Sequence, residues 1–368
     1  MKIRIATFNV ENLFTRPTAM AEKAGAKGQD AIDDHALLNA IVCKDAYAAQ
    51  DKAELLRLDE KYQFSALNAP KNALVQLQKV RGILYSRSKT GVVTVKANGR
   101  DEWTGWFELR RSDIRWMATY NTGRVIAQVN PDILICVEAE NRPTLLRFND
   151  QVLDAEFKKG YPHVMVIDGN DERGIDLGIM SRYPIEAMRS HVDVRDSGTR
   201  VFSRDCPEYV ILLPNGERIV VIPNHFKSKR GGNDADAKAR RLLQGTTAAA
   251  IARNAEANIS KYVLVAGDLN DTPDSEAVQP LLSGGWHDVM DHSSYPSTRP
   301  GTYDTGTAAN KIDYLIMSSA LWGCLGEANI ERRGSYHPKT WTPFDSVTSA
   351  VTEASDHHMV YADLDLGC

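Results

Sequence analysis

The sequence has few cysteines and no closely spaced cysteine pair. Its five cysteines are dispersed without a CxxC spacing, which argues against both a disulfide framework and a structural zinc site. No apolar run approaches the roughly 20 residues that span a bilayer. The start, MKIRIATFNVENLF, lacks the apolar core and cleavage site of a secretory leader. We therefore expect no membrane segment and a cytoplasmic location, although a secreted chain whose leader had been removed would show the same pattern.

An excess of positive charge is also missing. The 368 residues carry a net charge of −4 at neutral pH, so no global positive field attracts a polyanion. A nucleic acid would have to be bound by a local group of basic residues. With 43% hydrophobic and 25% charged residues, the composition is that of a globular protein, and nothing in it implies a protein partner.

Short strand patterns recur along most of the chain. Residues 3–8 (IRIATF) alternate as a half-buried strand does, whereas 133–137 (ILICV) form a continuous apolar run, as expected for a strand covered on both faces. The alanine-rich stretch 234–258 favours a helix. Many short strands with few helices predict packed sheets flanked by helices rather than a strict βαβ alternation. Further strand patterns lie at 164–167, 177–180, 209–213, 219–222, 262–266, 312–317 and 359–364.

Residues 15–118 have a different pattern, and we predict that they form a largely helical insertion between the first two core strands. The stretch 31–84 is mostly helical in pattern, and its last part keeps apolar residues at helical spacing (Leu74, Leu77, Val80 and Leu84). Residues 91–95 and 103–109 predict a small strand pair around an Asn-Gly turn. No linker is visible that would divide the chain, so we expect a single domain that contains this insertion.

Polar residues follow or open the predicted strands at one point after another. Because strands hold side chains rigidly and loops expose them, such residues predict a site on one rim of the sheets. Carboxylates and amides without a Cys/His cluster suit a hard cation such as Mg²⁺ or Mn²⁺. Histidines can transfer protons near neutral pH. The residues at these positions are Asn9, Glu138, Asn224, His225, Asp268, Asn270, Asp313, Asp356 and His357.

Eight segments, taken in order, resemble the motif set of the endonuclease/exonuclease/phosphatase superfamily. They are TFNVENLF, ILICVEAEN, GIDLGIMSRYPI, FSRDCPEY, NHFKSKRGG, AGDLNDTPDS, NKIDYLIMS and SDHHMV. Any one of them is weak evidence, whereas eight in the right order are specific. The resemblance covers residues 1–14 and 119–366, and two segments, NHFKSKRGG and GDLNDTPDS, look closest to bacterial nuclease-like members. It implies an α+β fold, a four-layer αββα sandwich of two packed mixed sheets with outer helices.

The resemblance also implies a metal site. Glu138 is the expected principal ligand, with Asn9 and Asp356 close by. Mg²⁺ is the expected cofactor, for which Mn²⁺ or Ca²⁺ can substitute. Glu140 is the rival of Glu138, but Glu138 comes first after the strand.

Catalytic residues are implied in the same way. Asp268 and Asn270 are expected to face the scissile phosphate, with Asp268 also orienting the attacking water or protonating the leaving oxygen. His357 is expected to act as an acid/base or phosphate-stabilising group, held by the carboxylate of Asp313. His358 is the adjacent competitor of His357, and we expect it to point to the other face.

Two further residues are implied to contact the substrate phosphate together with Asn270. His225 matches the second histidine of the deoxyribonuclease branch, and Asp176 is a candidate partner for it. Arg204 matches a phosphate-contacting arginine of the same branch. The alternative for Arg204 is an ordinary salt bridge on the surface.

Other basic and aromatic residues have simpler interpretations. The run 227–230 follows His225 and is either a phosphate-backbone contact or a solvated loop. Arg241 is expected to be an ordinary charge on a helix flank. The tryptophans of the insertion are expected in the core or in small clusters more often than on a base-stacking surface; they are Trp103, Trp106 and Trp116.

Together these features predict a divalent-metal-dependent phosphodiester hydrolase, with a nuclease that cleaves DNA by in-line attack of water as the leading hypothesis. A phosphoesterase of lipid or small-molecule headgroups, sphingomyelinase-like or inositol phosphatase-like, is the first alternative. No amphipathic membrane-binding stretch stands out, which disfavours a lipid substrate. A catalytically silent binding protein on the same scaffold is the second alternative, and the intact set of Glu, Asp and His argues against it.

Overall fold

The computed structural model describes residues 1–11, 18–20, 25–66, 70, 73–110, 116–171, 174–229, 235–296 and 298–367. It divides into two compact units. Residues 1–14 and 114–368 form the core unit, and residues 15–113 form the inserted unit. Each unit contains a buried apolar cluster of its own.

Six strands of the core unit form the first sheet: β1 (Lys2–Asn9), β6 (Ile133–Ala139), β7 (His163–Ile167), β8 (Asp176–Ser181), β17 (Leu325–Glu331) and β18 (Met359–Asp365). Their order is β17-β18-β1-β6-β8-β7. Strands β1 and β6 are parallel, whereas β18 and β8 run antiparallel to their neighbours. The sheet is therefore mixed, and β1 and β6 end at the same rim.

The second sheet also has six strands: β9 (Ile185–Arg189), β12 (Glu208–Leu212), β13 (Arg218–His225), β14 (Tyr262–Asp268), β15 (His287–Asp288) and β16 (Asp313–Met317). Their order is β15-β16-β14-β13-β12-β9. Strands β13 and β14 are its parallel pair, and β16 runs antiparallel to β14. A separate two-stranded ribbon joins β10 (Arg195–Asp196) to β11 (Thr199–Arg200).

The two sheets pack face to face through one apolar cluster. Ile5 and Ile135 of the first sheet and Val221 and Leu264 of the second are members of it, and all four are fully buried. Helices cover the outer faces: α3 (Trp116–Val129) and α4 (Arg142–Phe148) pack on the first sheet, α5 (Ala235–Asn258) and α6 (Gln279–Leu282) on the second. The short α7 (Ser319–Trp322) precedes β17. The predicted αββα sandwich of two mixed sheets is confirmed.

The periodic patterns of the core unit correspond closely to its elements. Every strand pattern named above lies on a strand, and the alanine-rich stretch is α5. The patterns missed β9, β15 and β17, which are short or partly exposed edge strands. None of the described helices is both long enough and apolar enough to cross a membrane.

The inserted unit differs from its prediction in its second half. Helices α1 (Gly25–Val42) and α2 (Ala49–Tyr62) are followed by β2 (Val75–Gly82), β3 (Tyr85–Arg87), β4 (Val93–Val95) and β5 (Trp103–Leu109). The prediction of a largely helical insertion is therefore wrong, since the described α-helices of this unit lie in its first half and strands predominate in the described part of its second half.

The helical spacing assigned to Leu74, Leu77, Val80 and Leu84 is wrong because most of this stretch is strand β2. Strand β2 pairs with β5, and β3 pairs with β4, so the two predicted strands do not pair with each other. Buried Trp103 and Phe107 line one face of β5. Strand β2 lies beside β5 as its ladder partner, and a segment as short as this can satisfy a helical and a strand period alike.

Candidate active site

Side chains from both sheets meet at one rim of the sandwich. Asn9 ends β1 of the first sheet, while Asp268 ends β14 of the second. The Nδ2 atom of Asn9 lies 3.4 Å from Oε1 of Glu138, 3.3 Å from Oδ2 of Asp268 and 3.4 Å from Nε2 of His357. The Oδ1 atom of Asn9 accepts the backbone N–H of Glu11. The buried amide of Asn9 therefore lies at the centre of the cluster and joins the two sheets.

The position of Glu138 depends on an irregularity in β6. The register of β6 against β8 shifts between Val137 and Ala139, and Glu138 between them has a φ of +65°. A bulge of this kind redirects a side chain out of the strand's alternation. The Glu138 side chain is 18% exposed, and its Oε1 atom lies 3.9 Å from Nε2 of His225. The bulge therefore turns Glu138 toward the rim.

His357 is held by a buried carboxylate. Its Nδ1 atom lies 2.9 Å from Oδ2 of Asp313, and the Thr302 hydroxyl donates to the same oxygen at 2.7 Å. Burial would lower the pKa of His357, but the carboxylates of Asp313, Asp268 and Asp356 raise it well above its ordinary value. The Nε2 atom lies 4.0 Å from Asp268 and 3.9 Å from Asp356. The ring thus presents a protonated nitrogen to the cluster at neutral pH.

Asp268 and Asn270 lie on a tight turn after β14. The backbone N–H of Asn270 donates to Oδ1 of Asp268 at 2.8 Å, and Nδ2 of Asn270 lies 3.2 Å from the Phe226 carbonyl. Gly267 has a φ of +126°, and a Cβ atom there would lie 2.1 Å from a backbone oxygen of β13. Only glycine allows that close approach. Burial and the neighbouring Asp313 raise the pKa of Asp268.

The donor set of the cluster fits a hard divalent cation. The cluster contains more carboxylates than histidine rings, so negative charge is in excess there. Carboxylate oxygens are the ligands that such a cation prefers. Asp268, Asp313 and His357 each bring a ligand atom within 4.8 Å of the others. However, the Asp313 oxygen is already engaged by His357 and Thr302. Glu138 and Asp356 keep 18% and 30% of their side chains exposed.

The sequence that forms this site matches the model of a known protein family. The model described as the Endonuclease/Exonuclease/phosphatase family matches residues 118–357. The chain belongs to this family. Its members are generally phosphoesterase hydrolases and typically depend on a divalent metal. No curated protein matches the chain.

Solved structures that are similar to this chain come from several organisms. An endonuclease/exonuclease/phosphatase family protein from Bacteroides thetaiotaomicron is 16% identical, with a TM-score of 0.51 over 69% of this chain and 89% of that chain. One from Bacteroides vulgatus is 17% identical, with a TM-score of 0.49 over 68% and 91%. Truncated Caenorhabditis elegans TDP2 is 20% identical, with a TM-score of 0.47 over 68% and 92%. The first of these likenesses shows the fold.

The second histidine of the SDHHMV segment has a different environment from the first. Nδ1 of His358 lies 3.0 Å from the Ser335 hydroxyl, and its Nε2 lies 3.0 Å from the carbonyl of Asp304. Burial, with the nearby charge of Arg332, lowers the pKa of His358 well below its ordinary value. This ring is therefore neutral and directed away from the cluster, as expected for consecutive residues at the start of a strand.

Arg204 is buried, so the alternative interpretation of this residue, an ordinary salt bridge on the surface, is wrong. It is 4% exposed, its Nε atom lies 3.0 Å from Asp171, and its Nη1 donates to the Phe226 carbonyl at 3.3 Å. The same carbonyl accepts Nδ2 of Asn270. In this family member Arg204 thus supports the Asn270 turn through the backbone of Phe226.

In the structure Asp176 and His225 have different partners. Its Oδ1 atom accepts the backbone N–H of Gly169 at 2.9 Å, and burial raises the pKa of Asp176 to about 7. Nε2 of His225 instead lies 3.7 Å from Oδ2 of Asp268. In the described part of the chain, His225 thus faces the cluster, and Asp176 anchors the loop after β7.

The sequence patterns missed three supporting groups. The Thr302 hydroxyl binds Asp313, as described above, and the Ser355 hydroxyl donates to the carbonyl of Asn9 at 2.7 Å. Arg241, expected on a helix flank, is 1% exposed and pairs at 3.0 Å with Asp271, which follows Asn270. Hydroxyls have no distinctive sequence signal. The signal for Arg241 was its position on the alanine and glycine face of α5.

The basic run after β13 approaches the same turn. Nζ of Lys229 lies 2.6 Å from Oδ1 of Asp271, and 41% of its side chain is exposed. The backbone N–H of Lys227 donates to Gln244 of α5 at 2.9 Å. Arg230, the last residue of the run, lies outside the described residues. The described part of the run is therefore tied to the turn and to α5.

Proposed function

We propose that this chain is a divalent-metal-dependent phosphodiesterase that cleaves DNA by in-line attack of water. One observation carries the proposal: Asn9 brings Glu138, Asp268 and the protonated His357 together at one rim. A cation site, a proton acceptor and a proton donor therefore lie within a few ångströms of one another. We further propose that the core unit carries the reaction and that the inserted unit shapes substrate choice.

The metal role is proposed for Glu138, with Asn9 and Asp356 beside it. When bound, Mg²⁺ would supply Lewis-acid stabilisation of the charge that builds on the non-bridging phosphate oxygens. Mn²⁺ or Ca²⁺ would serve in its place. The surplus negative charge of the cluster supports this assignment, because a dication offsets it.

His357 is proposed to stabilise the phosphate through Nε2–H. Asp313 and Thr302 hold the other side of the ring, so the proton at Nε2 points in a fixed direction. A fixed donor aimed at developing charge requires little rearrangement during the reaction. The elevated pKa keeps the donor charged at neutral pH.

Asp268 is proposed to orient the attacking water or to protonate the leaving oxygen. Its Oδ2 atom is shared by the Asn9 amide and faces both histidines. A raised pKa suits proton transfer near neutral pH, since the carboxyl can be found in either protonation state there. His225, Asn270 and Arg204 are proposed to contact the phosphate, and Arg204 also to hold the Asn270 turn through the Phe226 carbonyl.

DNA is proposed as the substrate because the NHFKSKRGG and GDLNDTPDS segments resemble those of bacterial nuclease-like members. The test is incubation with Mg²⁺ and a panel of plasmid DNA, single-stranded RNA, bis-p-nitrophenyl phosphate and a phosphomonoester. We expect nicked plasmid and cleaved small diester, an intact monoester, and no reaction in EDTA. Cleavage of the monoester alone, or full activity in EDTA, would contradict the proposal, and cleavage of RNA alone would replace DNA as the substrate.

A matched pair of variants tests the metal assignment. Glu138→Gln is expected to raise the Mg²⁺ concentration for half-maximal activity at least about 10-fold, because the ligand loses its charge. Glu140→Gln, two residues along the same segment, is expected to leave it nearly unchanged. The reverse result would move the metal role to Glu140.

A further inference from the structure

The two halves of the inserted unit differ in charge. Residues 25–66, which contain α1 and α2, carry eight acidic and five basic residues. Residues 73–110, which contain β2 to β5, carry seven basic and three acidic residues, and none of the acidic ones precedes Asp101. Positive charge is therefore concentrated in the strand half of this unit, although the whole chain is acidic.

Basic residues of the two halves also differ in their partners. In the helical half Lys44 pairs with Asp51, and Lys61 pairs with Asp34. The strand half exposes four cations that have no carboxylate partner among the described residues: Lys79, Arg81, Lys89 and Lys96. Unpaired surface cations keep their charge available to an external anion, and a row of them suits a phosphate backbone.

Trp106 lies on the outer face of the β2–β5 ribbon. Strand β5 alternates, so that Trp103 and Phe107 are buried in the unit's core while Trp106 is 44% exposed. The register places Gln78 opposite Trp106 and Arg81 opposite Thr104, one step along the same face. Residues that share a face at this offset are roughly 7–8 Å apart. The open indole ring thus shares its face with the amide of Gln78 and the guanidinium of Arg81, and with the carboxylate of Glu108 on its other side.

We propose that this ribbon face binds single-stranded nucleic acid, with Trp106 stacking on a base and Arg81 contacting a phosphate. An exposed aromatic ring can stack on any unpaired base, and neighbouring cations follow the backbone. A duplex hides its base faces, so the ring would contribute little to duplex binding. All residues of this surface belong to the inserted unit.

The polar neighbours of Trp106 favour this ligand over a lipid surface. A face that enters a membrane interface needs a continuous apolar stripe. Trp106 instead shares its face with the polar residues Gln78, Thr104, Arg81 and Glu108. Val80 and Val92 are 66% and 61% exposed, but Val80 lies at the register shift of β2 and Val92 in the loop before β4, so they do not form a continuous stripe with Trp106.

The test is fluorescence anisotropy of a labelled oligothymidylate of about 20 nucleotides with the full chain in EDTA, where hydrolysis is blocked. Trp106→Ala is expected to weaken binding about 5- to 100-fold, and Trp106→Phe to restore most of it, because phenylalanine also stacks. Arg81→Ala is expected to reduce the slope of log K against log salt by about 0.7, the contribution of one single-strand contact.

Trp116→Ala is the matched control, because Trp116 is 54% exposed on α3 of the core unit. Its affinity for the oligonucleotide is expected to equal that of the wild type. Equal affinity of Trp106→Ala and wild type would overturn the proposal. So would recruitment to anionic phosphatidylserine vesicles without any oligonucleotide binding. Turnover of bis-p-nitrophenyl phosphate reports on the hydrolytic site instead, so failure of that reaction would count against the proposed function and not against this surface.

Discussion

The two ends of the first sheet carry similar charged residues in different arrangements. At the end where β1 begins, Arg4 binds Asp363 through two hydrogen bonds of 2.6 and 2.7 Å, and Arg182 pairs with Asp132 at 2.8 Å. At the end where β1 finishes, the described contacts of Glu138 join it to an amide and a histidine. Paired charges fasten neighbouring strands, whereas surplus negative charge is stable only where a ligand or proton offsets it. The end where β1 begins therefore stabilises the sheet, and the end where β1 finishes holds the candidate site; we call the second the reactive end.

The largest effect is expected at the reactive end. His357→Ala is expected to retain the fold and to lose about 10²–10⁴-fold in kcat, because it removes a positioned donor. The measurement is turnover of bis-p-nitrophenyl phosphate with Mg²⁺, with a thermal melt to verify folding. His358→Gln is the control, since its ring is neutral and bound elsewhere, and its turnover is expected within a few-fold of the wild type. Normal turnover in folded His357→Ala would exclude His357 from the reaction.

Asp176→Asn is expected to stabilise the protein at high pH. The folded state raises the pKa of Asp176 from 3.8 to about 7, so the folded protein holds this proton more tightly than the unfolded chain. The stability that this bound proton gives the folded state is fully present below about pH 4 and is lost as the pH rises toward 7. Asparagine does not titrate, so the variant should be more stable than wild type at about pH 8, by at most about 4 kcal/mol. Urea unfolding in EDTA at both pH values measures the difference, and a less stable variant at pH 8 would contradict it.

The smallest effect, with the opposite sign, is expected at the paired end. Asp363→Asn removes the partner of Arg4, and the two side chains are 35% and 33% exposed. Exposed pairs contribute little, so the loss of stability should be about 0.2–1 kcal/mol and should shrink in high salt. Turnover should not change, because this end is distant from the cluster along the strands. A loss of turnover without a loss of stability would show that the two ends are coupled.

The fold was predictable largely because its core strands are buried. A strand covered on both faces, such as β6, is apolar over residues 133–137, and β1 alternates visibly. In the inserted unit the pattern failed at Val75–Gly82, where a short segment satisfies a helical and a strand period alike. Its state was decided by pairing with β5, which is more than twenty residues away in sequence.

The candidate site was predictable in its members but not in their environments. Asn9, Asp268 and Asp313 stand at strand ends, and parallel neighbours bring such residues to one rim. Arg204 could not be placed in advance, since its burial depends on Asp171, which is 33 residues away in the sequence. The predicted pairing of Asp176 with His225 depended on a register that local sequence does not specify.

The sequence by itself determined which polar residues stand at strand ends and the apolar periodicity that makes two sheets pack. Only the tertiary structure decided how these groups meet: the bulge that turns Glu138 to the rim, the carboxylate that keeps His357 charged and the ribbon face that leaves Trp106 open. The physical reason is that periodicity is a local property of the chain. Burial, charge pairing and pKa depend on neighbours that only folding brings together.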